Sequence, residues 1–414
     1  MSLSWLEIST SAFNNNAYHY KKAIGNNGIL APVLKGDAYG HGMLEMGQLC
    51  EKNQYVDWIC VLKLSEALTL RSNGVNKPIL VLGIIDDDPN KAINKQIEFS
   101  CFDLENASEL NQIAQKNRSR INIHLKIDTG LSRFGIYPDQ TISLIHNINQ
   151  LSHIVITGIW SHCAESYKED QTFTRLQIDQ FKSLLMQLEQ KQINIPIKHM
   201  GNSAATTAHD LSFCNFFRVG LGIYGYWPSE STRIITQKKY PDFTLSPIAT
   251  WKTRILEIKQ VKKGTSIGYD RTYIASEDMT IALLPIGYAD GYNPFLSHKG
   301  HVIIDNIQAP LIGRVAMNIV TIDISHIKNA HKQQEVILLN NHDDQNYDQS
   351  YDNNSCNAQT IADFIEIKNP RYITTSIKSS VPKIIVPDLL KNEKTEQITY
   401  QTEITPPWHR INTL

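Results

Sequence analysis

Between about residues 28 and 225, short apolar runs alternate eight times with longer segments of helical spacing. The runs are 28–34, 58–62, 79–82, a weaker 97–102, 121–127, 154–160, 195–198 and 216–224. Segments 65–70, 107–114 and 172–188 carry helical patterns between them. Runs that are continuously apolar, instead of alternating with polar residues, predict parallel strands covered on both faces. Eight such units predict a (β/α)8 barrel in preference to an open sheet.

The polar residues that end these runs support the barrel as strongly as the count does. Lys35 follows the first run; Lys126 lies at the end of the fifth, and Asp128 and Arg133 follow it. His162 ends the sixth, Asn202 and Ser203 follow the seventh, and Arg218 lies within the eighth. In a (β/α)8 barrel, chemistry sits at the C-terminal ends of the strands, where these side chains would converge. Each has an ordinary explanation by itself: a surface lysine, a capping serine, a core histidine. Five strands ending in such groups are harder to explain that way. A lysine at the end of a buried strand, partly desolvated, also loses its proton readily and attacks carbonyl carbons.

From about 245 to 385 the texture changes. Strand-like segments 248–259, 279–285, 301–305, 315–324 and 336–339, separated by turn residues, predict a mainly β domain. The expected division is a barrel over 1–240, a β-rich domain over 241–390 and a tail over 391–414. The Asp/Asn-rich stretch 340–357 reads as a polar loop without metal-ligand spacing.

At 414 residues the chain is too long for one ordinary core. Its 40 Lys and Arg balance 41 Asp and Glu, so no whole-chain field draws it to nucleic acid or membrane. No run approaches the roughly 18 apolar residues that span a bilayer. Residues 1–7 lack the basic segment and apolar core of a signal peptide. The six scattered cysteines read as reduced core residues of a cytoplasmic protein.

Five motifs, in order along the chain, resemble the alanine racemase family, a group of pyridoxal 5′-phosphate (PLP) enzymes. They are Val33-Leu34-Lys35-Gly36-Asp37-Ala38-Tyr39-Gly40-His41-Gly42, His124-Leu125-Lys126-Ile127-Asp128-Thr129-Gly130-Leu131-Ser132-Arg133 and Arg218-Val219-Gly220-Leu221-Gly222-Ile223-Tyr224-Gly225. Gly268-Tyr269 and Pro285-Ile286-Gly287-Tyr288-Ala289-Asp290-Gly291-Tyr292 complete the set. The likeness runs from about residue 4 to 385.

The resemblance implies interconversion of L- and D-alanine by a homodimer with shared active sites. Lys35 would hold PLP as a Schiff base and act as base on one face of the substrate carbon. Tyr269 of the second subunit would act on the other face. A tyrosine with an ordinary pKa of about 10 needs a nearby positive charge or a relay for that work, which His162 and Arg218 would supply. Arg218 would face the pyridine nitrogen as a donor, weakening the ring as an electron sink and suppressing transamination. Tyr39, Ser203, Gly220, Leu221 and Tyr372 would hold the phosphate, and His162 and Asn202 would complete the cofactor site. Arg133, Tyr288 and Met317 would meet the substrate. Lys126 matches a lysine that is carbamylated in some relatives.

One departure stands out: Asn318 replaces the family's usual aspartate after Met317. It leaves open a racemase of broader or different specificity, for serine or lysine. A decarboxylase of related fold is disfavoured by Arg218, and a non-catalytic PLP carrier by the whole β domain. D-alanine would serve peptidoglycan synthesis, and L-alanine breakdown fits the same reaction.

Overall fold

The computed structural model of the chain describes residues 3–340, 356–367 and 369–387. Most of the polar stretch expected at 340–357, and the tail 391–414, lie outside the described residues. The chain starts with strand β1 (Ser4–Ser9) and the helix Thr10–Ile24. Ser9 begins that helix by accepting from the Ala12 amide at 3.2 Å, the usual service of a serine N-cap.

Eight parallel strands follow: β2 (Ile29–Pro32), β3 (Ile59–Lys63), β4 (Ile79–Ile84), β5 (Ile97–Cys101), β6 (Ile121–Lys126), β7 (Ile154–Trp160), β8 (Ile197–His199) and β9 (Phe216–Val219). Strands β3 to β8 pair in sequence order, and β9 pairs with β2 through Ala31 and Arg218. The two remaining seams are sewn by backbone hydrogen bonds. Leu34 N donates to Cys60 O at 2.8 Å on one side, and Arg218 N to Gly201 O at 3.0 Å on the other.

The continuous apolar runs are explained by two separate cores. Ala31, Val33, Trp58, Cys60, Leu80, Ile197 and Phe216 pack inside the barrel. Their strand neighbours Leu30, Ile59, Ile79 and Val81 turn outward into the core beneath the helices. Each large aliphatic side chain so buried contributes about 1.5–3 kcal/mol. The eighth run is strand only to Val219; Gly220 then turns the chain into the single 3-10 turn Leu221–Tyr224.

The second domain contains β10 (Ala249–Arg254), β11 (Glu257–Val261), β12 (Ser266–Ile267), β13 (Tyr273–Ile274), β14 (Met279–Leu284), β15 (His301–Ile304), β16 (Ile307–Pro310), β17 (Val320–Asp323), β18 (Glu335–Leu339) and β19 (Lys383–Val386). The predicted strand over 248–259 is two strands, because the chain leaves one sheet after Arg254 and enters another at Glu257. The predicted strand over 315–324 shortens to β17. Residues 316 and 317 instead turn their carbonyls to the amides of Tyr288 and Ala289, at 3.1 and 3.0 Å. Strand β1, grouped with the barrel by the expected division at 240, pairs with β10 and β19 of the second domain. Its Leu6 and Ile8 are fully buried there.

Candidate active site

Just beyond β2 the backbone makes a left-handed turn. Gly36, Asp37, Ala38, Tyr39 and Gly40 have φ values of 65, 53, 52, 56 and 85°. Non-glycine residues cost about 1–2 kcal/mol each in this region, so the surroundings must enforce it. Asp37 Oδ1 accepts from Met43 N at 2.8 Å, and His41 Nδ1 donates to the Ala38 and Tyr39 carbonyls at 3.0 and 3.1 Å. Glu66 accepts from Gly36 N and from the amides of Leu62 and Lys63, tying the turn to β3. Gly40 lies against the Thr374 carbonyl, which leaves no room for a Cβ.

This turn carries Lys35 on a partly buried site. Burial, with the charges of Arg133, Arg371 and Arg218, pulls its amine below the ordinary lysine range, against a smaller opposing pull from Glu66. A larger share of the amine is thereby unprotonated and available to attack a carbonyl carbon or take up a proton.

A cradle for an anion stands beside it. Ser203 Oγ accepts from Gly220 N at 3.0 Å and Gly222 N at 3.1 Å. A hydroxyl that accepts twice keeps its own O–H for donation. The Tyr39 hydroxyl hangs over Gly220, and the 3-10 turn from Leu221 forms the adjoining wall. Asn202, expected in the cofactor site, uses its side-chain oxygen to shape the loop there. Its Oδ1 accepts from Ala204 N, Ala205 N and Ser166 Oγ at 3.0, 2.9 and 3.0 Å, shaping the loop that presents Ser203.

Arg218 is buried, its guanidinium 4.5 Å from the centre of the Trp160 ring. It donates to the Ser161 carbonyl at 2.8 Å and to His199 Nδ1 at 2.6 Å, with His162 Nδ1 at 3.3 Å. Burial lowers its pKa to about 10, so it remains a cation at neutral pH. His162 does not share that charge. Burial, then Arg218, Lys126, Arg133 and Lys35, hold its pKa well below the ordinary range. Of the positive charge or relay expected from His162 and Arg218, the charge therefore belongs to the arginine, because the imidazole is neutral.

Lys126 is buried inside the barrel mouth. Its Nζ donates to Ile127 O at 2.9 Å and sits 4.6 Å from the Trp160 ring centre. Burial and the charges of Arg218 and Arg133 lower its pKa to about 7, with Asp128 opposing. Asp128 Oδ1 gathers the amides of Gly130, Leu131 and Ser132 at 2.9, 2.9 and 3.1 Å. That folds the loop bearing Arg133, whose side chain is exposed in the single chain.

The second-domain residues are exposed in the single chain. Tyr269 is 71% exposed, beside Asp270, whose carboxylate meets Arg314 at 2.9 Å. Tyr288 and Met317 are exposed on segments bonded to each other, and Asn318 is exposed beside them. Tyr372 lies exposed on the helix Arg371–Ser376, which packs on the Lys35 turn through Thr374 and Gly40. Arg371, stacked 5.3 Å from the Tyr372 ring centre, reaches Lys35 and Tyr39 with its charge.

Lys35, Arg218, His162, Lys126 and Arg133 thus share one electrostatic site, while Tyr269, Tyr288 and Met317 of the second domain are exposed in the single chain. The family models described as "Alanine racemase, N-terminal domain" and "Alanine racemase, C-terminal domain" match residues 8–228 and 248–384. The chain belongs to the alanine racemase family. It is 36% identical over 338 residues to the alanine racemase of Clostridium tetani, covering 81% of this chain and 85% of that one. The Methanococcus maripaludis alanine racemase is 35% identical over 327 residues, 78% and 86% of the two chains. Among solved structures, the Clostridium difficile alanine racemase superposes with a TM-score of 0.83 at 28% identity, covering 94% and 97%. The Bacillus anthracis enzyme with bound L-Ala-P gives 0.79 at 26% identity, covering 93% and 95%.

Sequence reading missed Arg371, Trp160, His199, His124 and Glu98. His124 carried one signal, since it stands two residues before Lys126 and so shares its strand face. Nothing local marks Arg371, which reaches the site only through the packing of its helix.

Proposed function

We propose that the protein is an alanine racemase that uses PLP and works as a homodimer, with Lys35 and the partner subunit's Tyr269 as opposing bases. The observation that carries this reading is the joint placement of a depressed lysine amine, an anion cradle and a donor-only arginine at one barrel mouth.

These residues fit the cofactor. Lys35 offers the amine for its aldehyde, while the Ser203 and Tyr39 hydroxyls and the Leu221 amide suit a phosphate; the Gly220 amide, expected there too, is taken by Ser203 Oγ. Arg218 presents N–H groups to a ring nitrogen and accepts no proton from it. When bound, PLP supplies an electron sink that acidifies the substrate α-carbon. Lys35 moves a proton at one face of that carbon. Arg133 steadies the substrate side, and Tyr372 with Arg371 closes the phosphate side. His162, neutral, orients by hydrogen bonding and leaves the charge to Arg218.

Racemisation needs a second group on the opposite face, and in the single chain Tyr269 is open to solvent. Ile274, Tyr288, Phe295 and Met317 are exposed on the same domain, an apolar surface suited to cover by a second copy. The six cysteines are buried and unpaired, which suits the reducing cytoplasm. The product D-alanine would supply peptidoglycan.

Racemisation in D2O, with washout of the α-hydrogen, tests the assignment. Lys35→Ala and Tyr269→Phe should each abolish racemisation in both directions. Mixed and re-associated, the two variants should recover about a quarter of wild-type activity, because half the dimers are mixed and each holds one intact site. No recovery in subunit-exchanged mixtures overturns the shared site. Among L-amino acids, alanine should dominate over serine and lysine.

A further inference from the structure

Beneath Arg218 a chain of hydrogen bonds runs through the barrel interior. Arg218 donates to His199 Nδ1 at 2.6 Å, and His199 Nε2 meets His124 Nδ1 at 2.8 Å. His124 Nε2 meets Glu98 Oε2 at 2.9 Å, and that carboxylate is also held by Thr157 at 2.7 Å and Asn122 at 2.8 Å.

Chemistry gives this chain one direction. A guanidinium can only donate, so His199 Nδ1 accepts and the proton of that ring sits on Nε2. His124 Nδ1 must then accept, its proton sits on Nε2, and it donates to the carboxylate. Burial raises the Glu98 pKa, but the bond from His124, the charge that ring carries when protonated, and the bonds from Thr157 and Asn122 outweigh it, and the group stays ionised. A cation ends the chain at the top and an anion ends it below, with two neutral imidazoles between. Reversal would set an N–H of His199 against an N–H of Arg218.

The rings are clamped in this arrangement. His199 stacks on Trp160 at 5.6 Å and packs on Phe216 at 4.7 Å. His124 lies between Trp58 and Phe216, each at 6.1 Å. Gly158 on β7 leaves the space that the His124 ring fills, since a Cβ there would collide with it. A polar chain in so apolar a barrel persists only when every member is satisfied.

We propose that Glu98, His124 and His199 are positioning residues for Arg218, a one-way chain that anchors Nη1 of the guanidinium while the Ser161 carbonyl and His162 hold Nη2, so that the group meets the cofactor ring in one fixed orientation. This rests on the reading that Arg218 faces the pyridine nitrogen. Its consequence is control of reaction choice: a firmly held donor keeps that nitrogen unprotonated and suppresses transamination.

Side-chain 15N NMR of the full-length wild-type protein, with and without PLP, should show His124 and His199 as neutral Nε2–H tautomers. Glu98→Leu leaves the His124 Nε2–H without an acceptor, so His124 should become a tautomer mixture while Arg218 keeps His199 as Nε2–H. Transamination per racemisation turnover should then rise roughly tenfold, the effect of losing one charge-assisted hydrogen bond. Glu98→Gln keeps an acceptor oxygen and should preserve both readouts. An Nδ1–H tautomer or an imidazolium in wild type overturns the proposal, and needs no variant to fold. So does Glu98→Leu with tautomers and partitioning unchanged. Normal tautomers in a protein that neither binds PLP nor racemises alanine would leave the chain standing, defeat the functional reading and remove the chain's proposed purpose.

Discussion

The Tyr39 hydroxyl stands over the backbone of Gly220, so close that a Cβ added at residue 220 would lie 2.7 Å from it. The tyrosine belongs to the turn after the first barrel strand and the glycine to the end of the eighth, neighbours only because β2 and β9 pair. Gly220→Ala should displace the tyrosine and crowd the cradle, weakening PLP binding by about 1–3 kcal/mol. Absorbance titration checks this, and the melting temperature of the cofactor-free protein should change much less.

Gly40 combines a φ of 85° with contact against the Thr374 carbonyl. Gly40→Ala meets both the backbone penalty and the clash. It should cost more than the roughly 1–2 kcal/mol of a left-handed residue alone, read from urea unfolding. The loss should be accompanied by increased proteolysis around the helix Arg371–Ser376, since the clash pushes that helix off the turn. Unchanged stability would show that the contact is not tight.

His41 predicts an acid-sensitive step in stability. Burial pulls its pKa from 6.5 to about 4, with Lys383 adding to the drop and the bonds to Ala38 and Tyr39 opposing it. Its Nε2 is buried without a hydrogen-bond partner, so a proton arriving there finds no acceptor. The unfolded chain therefore binds a proton between pH 6.5 and about 4 that the folded chain refuses. Stability falls as the pH drops through that window, by about 3 kcal/mol from this residue, and is level above it. His162 and His199 act in the same direction. The part belonging to His41 is the difference between wild-type and His41→Gln denaturation midpoints across the window.

Lys126 should take up carbon dioxide. With a pKa near 7 about half its amine is unprotonated at neutral pH. The free amine attacks the carbon, forms an N–C bond and releases one proton. The resulting carbamate would lie among Arg218, Arg133 and the indole N–H of Trp160, which is buried without a partner. Incubation with 13C-bicarbonate should give a carbamate resonance in wild type that is missing in Lys126→Arg. Equal spectra would rule the modification out.

Periodicity determined much of this protein. Continuous apolar runs specify strands with two buried faces, and a buried face is a property that each residue carries along the chain regardless of its partners. That is why the eight barrel strands, and the polar residues placed at their ends, were legible in the sequence. Contacts between distant segments were not. Strand β1 joins the second domain because Leu6 and Ile8 find their cover between β10 and β19, a choice its own six residues do not encode. Asn202 caps a loop and His162 is neutral because of neighbours brought from other strands. The proton direction from Arg218 to Glu98 exists only once four strands set their side chains within hydrogen-bond distance. Sequence supplied the chemical groups; closure of the barrel decided which of them touch, and so which are charged.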